Sequence, residues 1–194
     1  MNRIRRALVW LKRCRHCRGF GVQSPWAYRF IRYVVNEHYA YYAYGELAKS
    51  EPKLDVMEKK LHRLYFRMSN YMQADAVVSY GGDADMLERY MQRGCRKTRT
   101  IVMASEQDLE TVERVRLARV LTTGSYRSFF QALLKKVDGQ SAVVIQFAKR
   151  DPAAKQFWKE VEADPRCITT FDLYYCGIIF FDTKRYKENY IVNF

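Results

Sequence analysis

The sequence predicts an α/β fold: a mainly parallel sheet with helices on both faces, finishing in antiparallel strands. Two observations carry the prediction. Between residues 74 and 163 short apolar runs alternate with helical stripes, and parallel strands need such crossover connections. After Pro165 the rhythm stops. The segment CITTFDLYYCGIIFFDTKRYKENYIVNF holds three β-rich runs with no helix-length spacing. Those strands are expected to run antiparallel to one another at one edge of the sheet.

The elements follow in order. Ile4, Ala7, Leu8, Leu11 and Cys14 recur at helical spacing over residues 4–17, with the arginines and Lys12 largely elsewhere on the wheel. Gly19 and Gly21 interrupt the pattern. Ser24 and Pro25 restart it as N-cap and first helical residue, and the stripe Ala27, Phe30, Ile31, Val34, Val35 predicts a helix over 25–36. A third helix is predicted over 54–72, where Met57, Leu61, Leu64, Met68 and Met72 share a face and Lys60, Arg63 and Arg67 lie off it. ADAVVSYGG, TRTIVMAS, LARVLTTG and SAVVIQF read as four strands. Helices are expected over 83–94, from Ser105 with Asp108 as a capping box, over 126–137, and from Asp151-Pro152. The domain reading is a basic helical extension over 1–53 followed by an α/β domain over 54–194.

The net charge of +13 is uneven: Arg3, Arg5, Arg6, Lys12, Arg13, Arg15, Arg18, Arg29 and Arg32 are matched by no acid before Glu37. Such a local excess speaks of a surface or a partner rather than of a fold. Residues 1–18 are therefore expected to meet an anionic surface, lipid or nucleic acid. Five scattered cysteines argue against a disulfide framework and for reduced thiols in the cytoplasm, with peripheral contact at the inner membrane surface open. No apolar run is long enough to cross a bilayer, and the run over 7–11 is too short for a signal peptide.

The alternating half, closed by an antiparallel strand pair, resembles the class I S-adenosylmethionine-dependent methyltransferases. GFGVQSPWAYRFI near the start and FDLYYCGIIFFD with YIVNF at the end resemble bacterial proteins of that type. The resemblance implies a Rossmann-like fold and a cofactor site at the carboxyl ends of the strands. It maps the acid that follows the first strand onto Ser79, and the glycine turn onto Gly81 and Gly82. A later glycine falls on Asp85. The ribose-binding acid falls on Ala104, with Glu106 as a substitute two residues on. The Gly-Asp pair beside the adenine falls on Gly124 and Ser125, and the acid after the fourth strand, a metal ligand in some relatives, falls on Gln146. Ala104 and Ser125 lack the expected carboxylate, and Gln146 offers one neutral oxygen where magnesium favours carboxylates. The pattern implies an altered site for S-adenosylmethionine, weakened or lost, with Gly81 and Gly82 kept as a tight turn.

Other constellations are weaker. Cys14, His16 and Cys17 lack the second ligand pair of a structural zinc site, so no metal is expected. Ser79 and Ser125 lie outside any nucleophile-elbow motif, and no catalytic residue is assigned. Asp83, Asp85 and Glu106 fall near strand ends, where open α/β sheets bind ligands. Tyr39, Tyr41, Tyr42 and Tyr44 near Arg29 and Arg32 could stack on bases, but packing onto the domain is the favoured reading. Three functions stay open: a methyltransferase-like binding or scaffold module, an active methyltransferase with unorthodox cofactor contacts through Glu106, and a basic surface-binding protein.

Overall fold

The computed structural model describes residues 3–50, 54–82 and 84–194. Helices α1 (Arg3–Lys12), α2 (Pro25–Phe30), α3 (Tyr42–Ser50) and α4 (Val56–Met72) precede the first strand. Then follow β1 (Ala76–Tyr80), α5 (Ala84–Gly94), β2 (Arg99–Met103), β3 (Leu117–Leu121), α6 (Tyr126–Leu133), β4 (Ala142–Gln146) and α7 (Pro152–Ala163). Strands β5 (Thr169–Asp172), β6 (Cys176–Phe180) and β7 (Glu188–Ile191) close the chain.

Seven strands form one sheet in the order β2-β1-β3-β4-β6-β5-β7. Strands β1 to β4 are parallel. Strand β6 is antiparallel to both neighbours, β4 and β5. The mutual antiparallel arrangement expected of the last three strands holds for β5 and β6 but not for β7, which pairs parallel with β5. Because β6 reverses and β5 reverses again, β5 and β7 end on the same edge as β1, β3 and β4.

Alternation along each strand divides the interior into two layers. Val77, Leu117, Val144, Phe171 and Ile178 face a layer closed by α2, α4 and part of α5. Val78, Val120, Ile145 and Ile179 face a layer closed by α6 and α7. Trp158 of α7 lies flat against β6 at Gly177, where a Cβ would come within 2.2 Å of its ring; only glycine fits there.

The predicted helix over 25–36 forms, starting at the Ser24 cap as expected, and widens after Phe30 into a π-helical turn over Ile31–Val35. Arg67, which the periodicity places off the apolar face, is buried. Its guanidinium donates to the carbonyls of Val34 (2.5 Å) and Val35 (3.1 Å), satisfying helix-end acceptors that burial would otherwise leave unpaired. Two expectations fail. The first helix stops at Lys12 and continues only as one short turn over Cys14–His16. The segment after Ser105 is a single 3-10 turn, Gln107–Thr111, rather than a helix. Asp108 does form the far half of the expected capping box, its Oδ2 accepting from the Ser105 amide (2.9 Å), but it also takes the amide of Ala104 (2.7 Å), and no regular helix follows.

Candidate functional site at the carboxyl edge of the sheet

The chain leaves β1 toward β2 on one side and returns to β3 on the other. This reversal is a topological switch point, where open α/β sheets form their ligand crevice. Its lining is the turn after Tyr80 and the ends of β3 and β4. Gly81 and Gly82 have φ of +71° and +72°, and Gly124 has +58°, conformations that favour glycine.

All three glycines are met by the chain's own side chains. A Cβ at Gly81 would lie 3.0 Å from Thr123 Oγ1, one at Gly82 2.7 Å from Arg119 Nη1, and one at Gly124 3.2 Å from the Tyr80 hydroxyl. Arg119 is 2% exposed and donates from Nη1 to the Gly81 carbonyl. The turn rests on β3 and on a buried guanidinium.

Two polar pairs, in different register rows, stand near this turn. Ser79 and Arg119 are register partners on β1 and β3, and Gln146 and Cys176 on β4 and β6. Ser79 is fully buried, and its Oγ has no hydrogen-bond partner among the described residues. Gln146 accepts from the Tyr65 hydroxyl of α4 at 2.6 Å. Burial pushes the Tyr65 phenol and the Cys176 thiol far above their ordinary ranges, so both stay protonated.

The remaining mapped positions scatter. Asp85 is exposed in the first turn of α5, where the helix dipole favours a carboxylate; it does not narrow the turn. Ala104 is exposed at the end of β2, with its amide committed to Asp108. The Asp108 carboxyl is held below the usual range by the amide bonds from Ser105 and Ala104. Glu106 is half-buried at the start of the 3-10 turn. Asp83 lies outside the described residues.

Ser125 is exposed ahead of α6. Strand β3 lies on the opposite side of β1 from β2. Gly124 and Ser125 therefore follow a strand two places away from the one that precedes Ala104 and Glu106.

A second constellation escaped sequence reasoning. Asp172, at the end of β5, pairs through Oδ2 with Arg150 (2.6 Å) and Arg13 (3.0 Å), all three side chains being largely buried. Its Oδ1 accepts from the amide of Tyr174, which is held at φ +73°, a strained conformation for a bulky residue. Both guanidiniums lie over the Tyr174 ring, at 5.4 and 5.6 Å from its centroid. The only sequence signal was the string FDLYY.

The tyrosine cluster divides. Tyr41 and Tyr44 pack on Phe66, and Tyr44 accepts from Arg67, as the packing reading expects. Tyr42 and Tyr39 do not follow it; they are 96% and 64% exposed. Cys17 Sγ accepts from Asn193 Nδ2 at 3.2 Å. Among the described residues no three His, Cys, Asp or Glu side chains are placed to hold a metal, and no helix is long and apolar enough to cross a membrane.

No protein-family model and no curated protein matches the chain. Among solved structures it is similar to the SAH-bound methyltransferase PaMTH1 of Podospora anserina: 10% identity, a TM-score of 0.51, 82% of this chain and 96% of that one. It is also similar, at TM-scores of 0.43 and 0.42, to MycE methyltransferase of the mycinamycin biosynthetic pathway in complexes containing Mg and SAH. Identities there are 11% and 15% over 71% of this chain, which spans about half of MycE. With the sheet order, the likeness to PaMTH1 shows that this chain has the α/β, Rossmann-like fold of class I methyltransferases.

Proposed function

We propose that this chain is a methyltransferase-fold protein that has lost tight binding of S-adenosylmethionine and serves as a binding or scaffold module. One observation carries the reading: Arg119, Leu121 and Thr123 pack within 3.3 Å of where a Cβ on Gly81 or Gly82 would stand, so these glycines are accounted for by close packing of the chain's own side chains rather than by room for a ligand. The missing acid at Ala104 adds to it. A micromolar ligand is held by about 8 kcal/mol. Two charge-assisted bonds from a carboxylate to the ribose hydroxyls contribute roughly 3–5 kcal/mol. Without them the remainder corresponds to about millimolar affinity. The residues at position 104 and at the turn do not match what the cofactor would need there.

Calorimetry with S-adenosylmethionine is expected to give millimolar or undetectable binding. Ala104→Asp, alone and with Asp85→Gly, is the companion; because the turn is filled from beneath, the acid by itself is expected to restore little. Micromolar binding by the unaltered chain overturns the reading and favours the second one, an active methyltransferase. The observation in its favour is Glu106, half-buried in the loop after β2, whose carboxylate has no hydrogen-bond or ion-pair partner among the described residues. In that case Glu106→Ala abolishes binding.

A further inference from the structure

Helix α1 is amphipathic, and its apolar side points outward. Ile4, Leu8 and Leu11 recur at i, i+4 and i+7, yet they are 69%, 53% and 62% exposed, and Trp10 is 56% exposed. A helix that only covered its own domain would bury this stripe. Instead α1 is held at its last turn by polar contacts. The Asn193 side chain donates to the Trp10 carbonyl (3.1 Å), and the Asn193 amide to the His16 carbonyl (2.9 Å). Arg13 is anchored on Asp172 through both the carboxylate and the carbonyl. The tether fixes the helix while leaving Ile4, Leu8 and Leu11 largely exposed.

The surroundings are cationic. Leu8, Lys12, Lys155 and Lys159 line one hollow of about 550 Å³ with Arg13 and Arg150. Lys12, Lys155 and Lys159 are exposed. The acids of that hollow are Glu162, half-buried, and Asp172, already shared by two arginines.

We infer that α1 and the adjoining face of α7 form a docking surface for an anionic lipid bilayer. Ile4, Leu8 and Leu11 enter the headgroup–acyl boundary with Trp10 at the edge of the stripe, and Lys12, Lys155 and Lys159 meet the lipid phosphates. Charge complementarity selects this occupant. A second copy of the chain would bring like charge against like. A nucleic acid would use the lysines but has nothing to offer the aliphatic stripe. The surface is independent of whether the switch point binds a cofactor.

Cosedimentation with vesicles tests it, using the full chain, phosphatidylcholine alone, and an equimolar mixture with phosphatidylglycerol. Binding is expected to the mixed vesicles only. Leu8→Ser with Leu11→Ser, and separately Lys155→Glu with Lys159→Glu, are each expected to weaken it at least about tenfold. All four positions are exposed, so thermal unfolding should be unchanged. Quenching of Trp10 fluorescence by brominated lipid, absent in Trp10→Phe, reports insertion. The inference is overturned if neither vesicle binds, or if either double variant binds like the parent. Tighter binding to a single-stranded oligonucleotide than to the mixed vesicles also overturns it. So does a self-associated state that the leucine substitutions dissolve.

Discussion

Arg13 and Asp172, 159 positions apart, meet as a largely buried ion pair that joins the end of α1 to the end of β5. The same carboxylate oxygen holds Arg150 at 2.6 Å. One acid thus serves two guanidiniums, and its two neighbours depend on it more than it depends on either.

The asymmetry predicts a ranking. Asp172→Ala strands two buried cations and should cost about 3–5 kcal/mol of stability, the range for breaking a buried pair from one side. Arg13→Ala leaves the Arg150 pair intact and should cost roughly 1–3 kcal/mol, near the value of a charge-assisted bond. Urea unfolding measures both. A larger loss from Arg13→Ala than from Asp172→Ala would reject the hub.

The contact between Gly177 and Trp158 predicts a core overpacking defect. A methyl group at 177 would come within 2.2 Å of the indole, so Gly177→Ala should lose about 1–3 kcal/mol or more. Trp158→Leu in the same chain should make the second substitution cheaper than the sum of the two. Additive losses in this double-mutant cycle would show that the two residues do not compete for the same space.

Acid should weaken the fold in a defined window. The Asp55 carboxyl is held below its ordinary range by amide bonds, first from Glu58, and Asp164 by the Arg166 side chain. Asp108 is lowered by the amides of Ser105 and Ala104. A depressed folded-state pKa contributes stability above the unfolded value of about 4, and that stability is lost as pH falls through the folded value. Urea midpoints should be flat above about pH 5 and fall steadily below about pH 4. Asp164→Asn should flatten part of that fall; an unchanged slope would remove Asp164 from the account.

Much of the fold was legible because its signals are local. The stripe from Ala27 to Val35 and the cap at Ser24 placed a helix where one forms, and Asp151-Pro152 opened α7 as its capping chemistry requires. The segment after Ser105 misled because Asp108 binds the amides of Ala104 and Ser105. A Ser-x-x-Asp string permits that loop as readily as a helix start. Arg67 misled for another reason. Its side chain is long enough to reach the carbonyls of Val34 and Val35 from a position that the wheel assigns to solvent.

At the site, the sequence by itself determined which side chains stand at the strand ends: glycines at 81, 82 and 124, and no carboxylate at 104, 125 or 146. Residue type settles what a position can donate or accept, wherever it lies. Only the tertiary structure decided that β3 returns beside β1, that Arg119 lies beneath the turn, and that Asp172 gathers Arg13 and Arg150. Helix and strand periods repeat within a few residues and carry no record of strand order. Partners separated by 38 positions, as in Arg119 and Gly81, or by 159, as in Arg13 and Asp172, are chosen by packing.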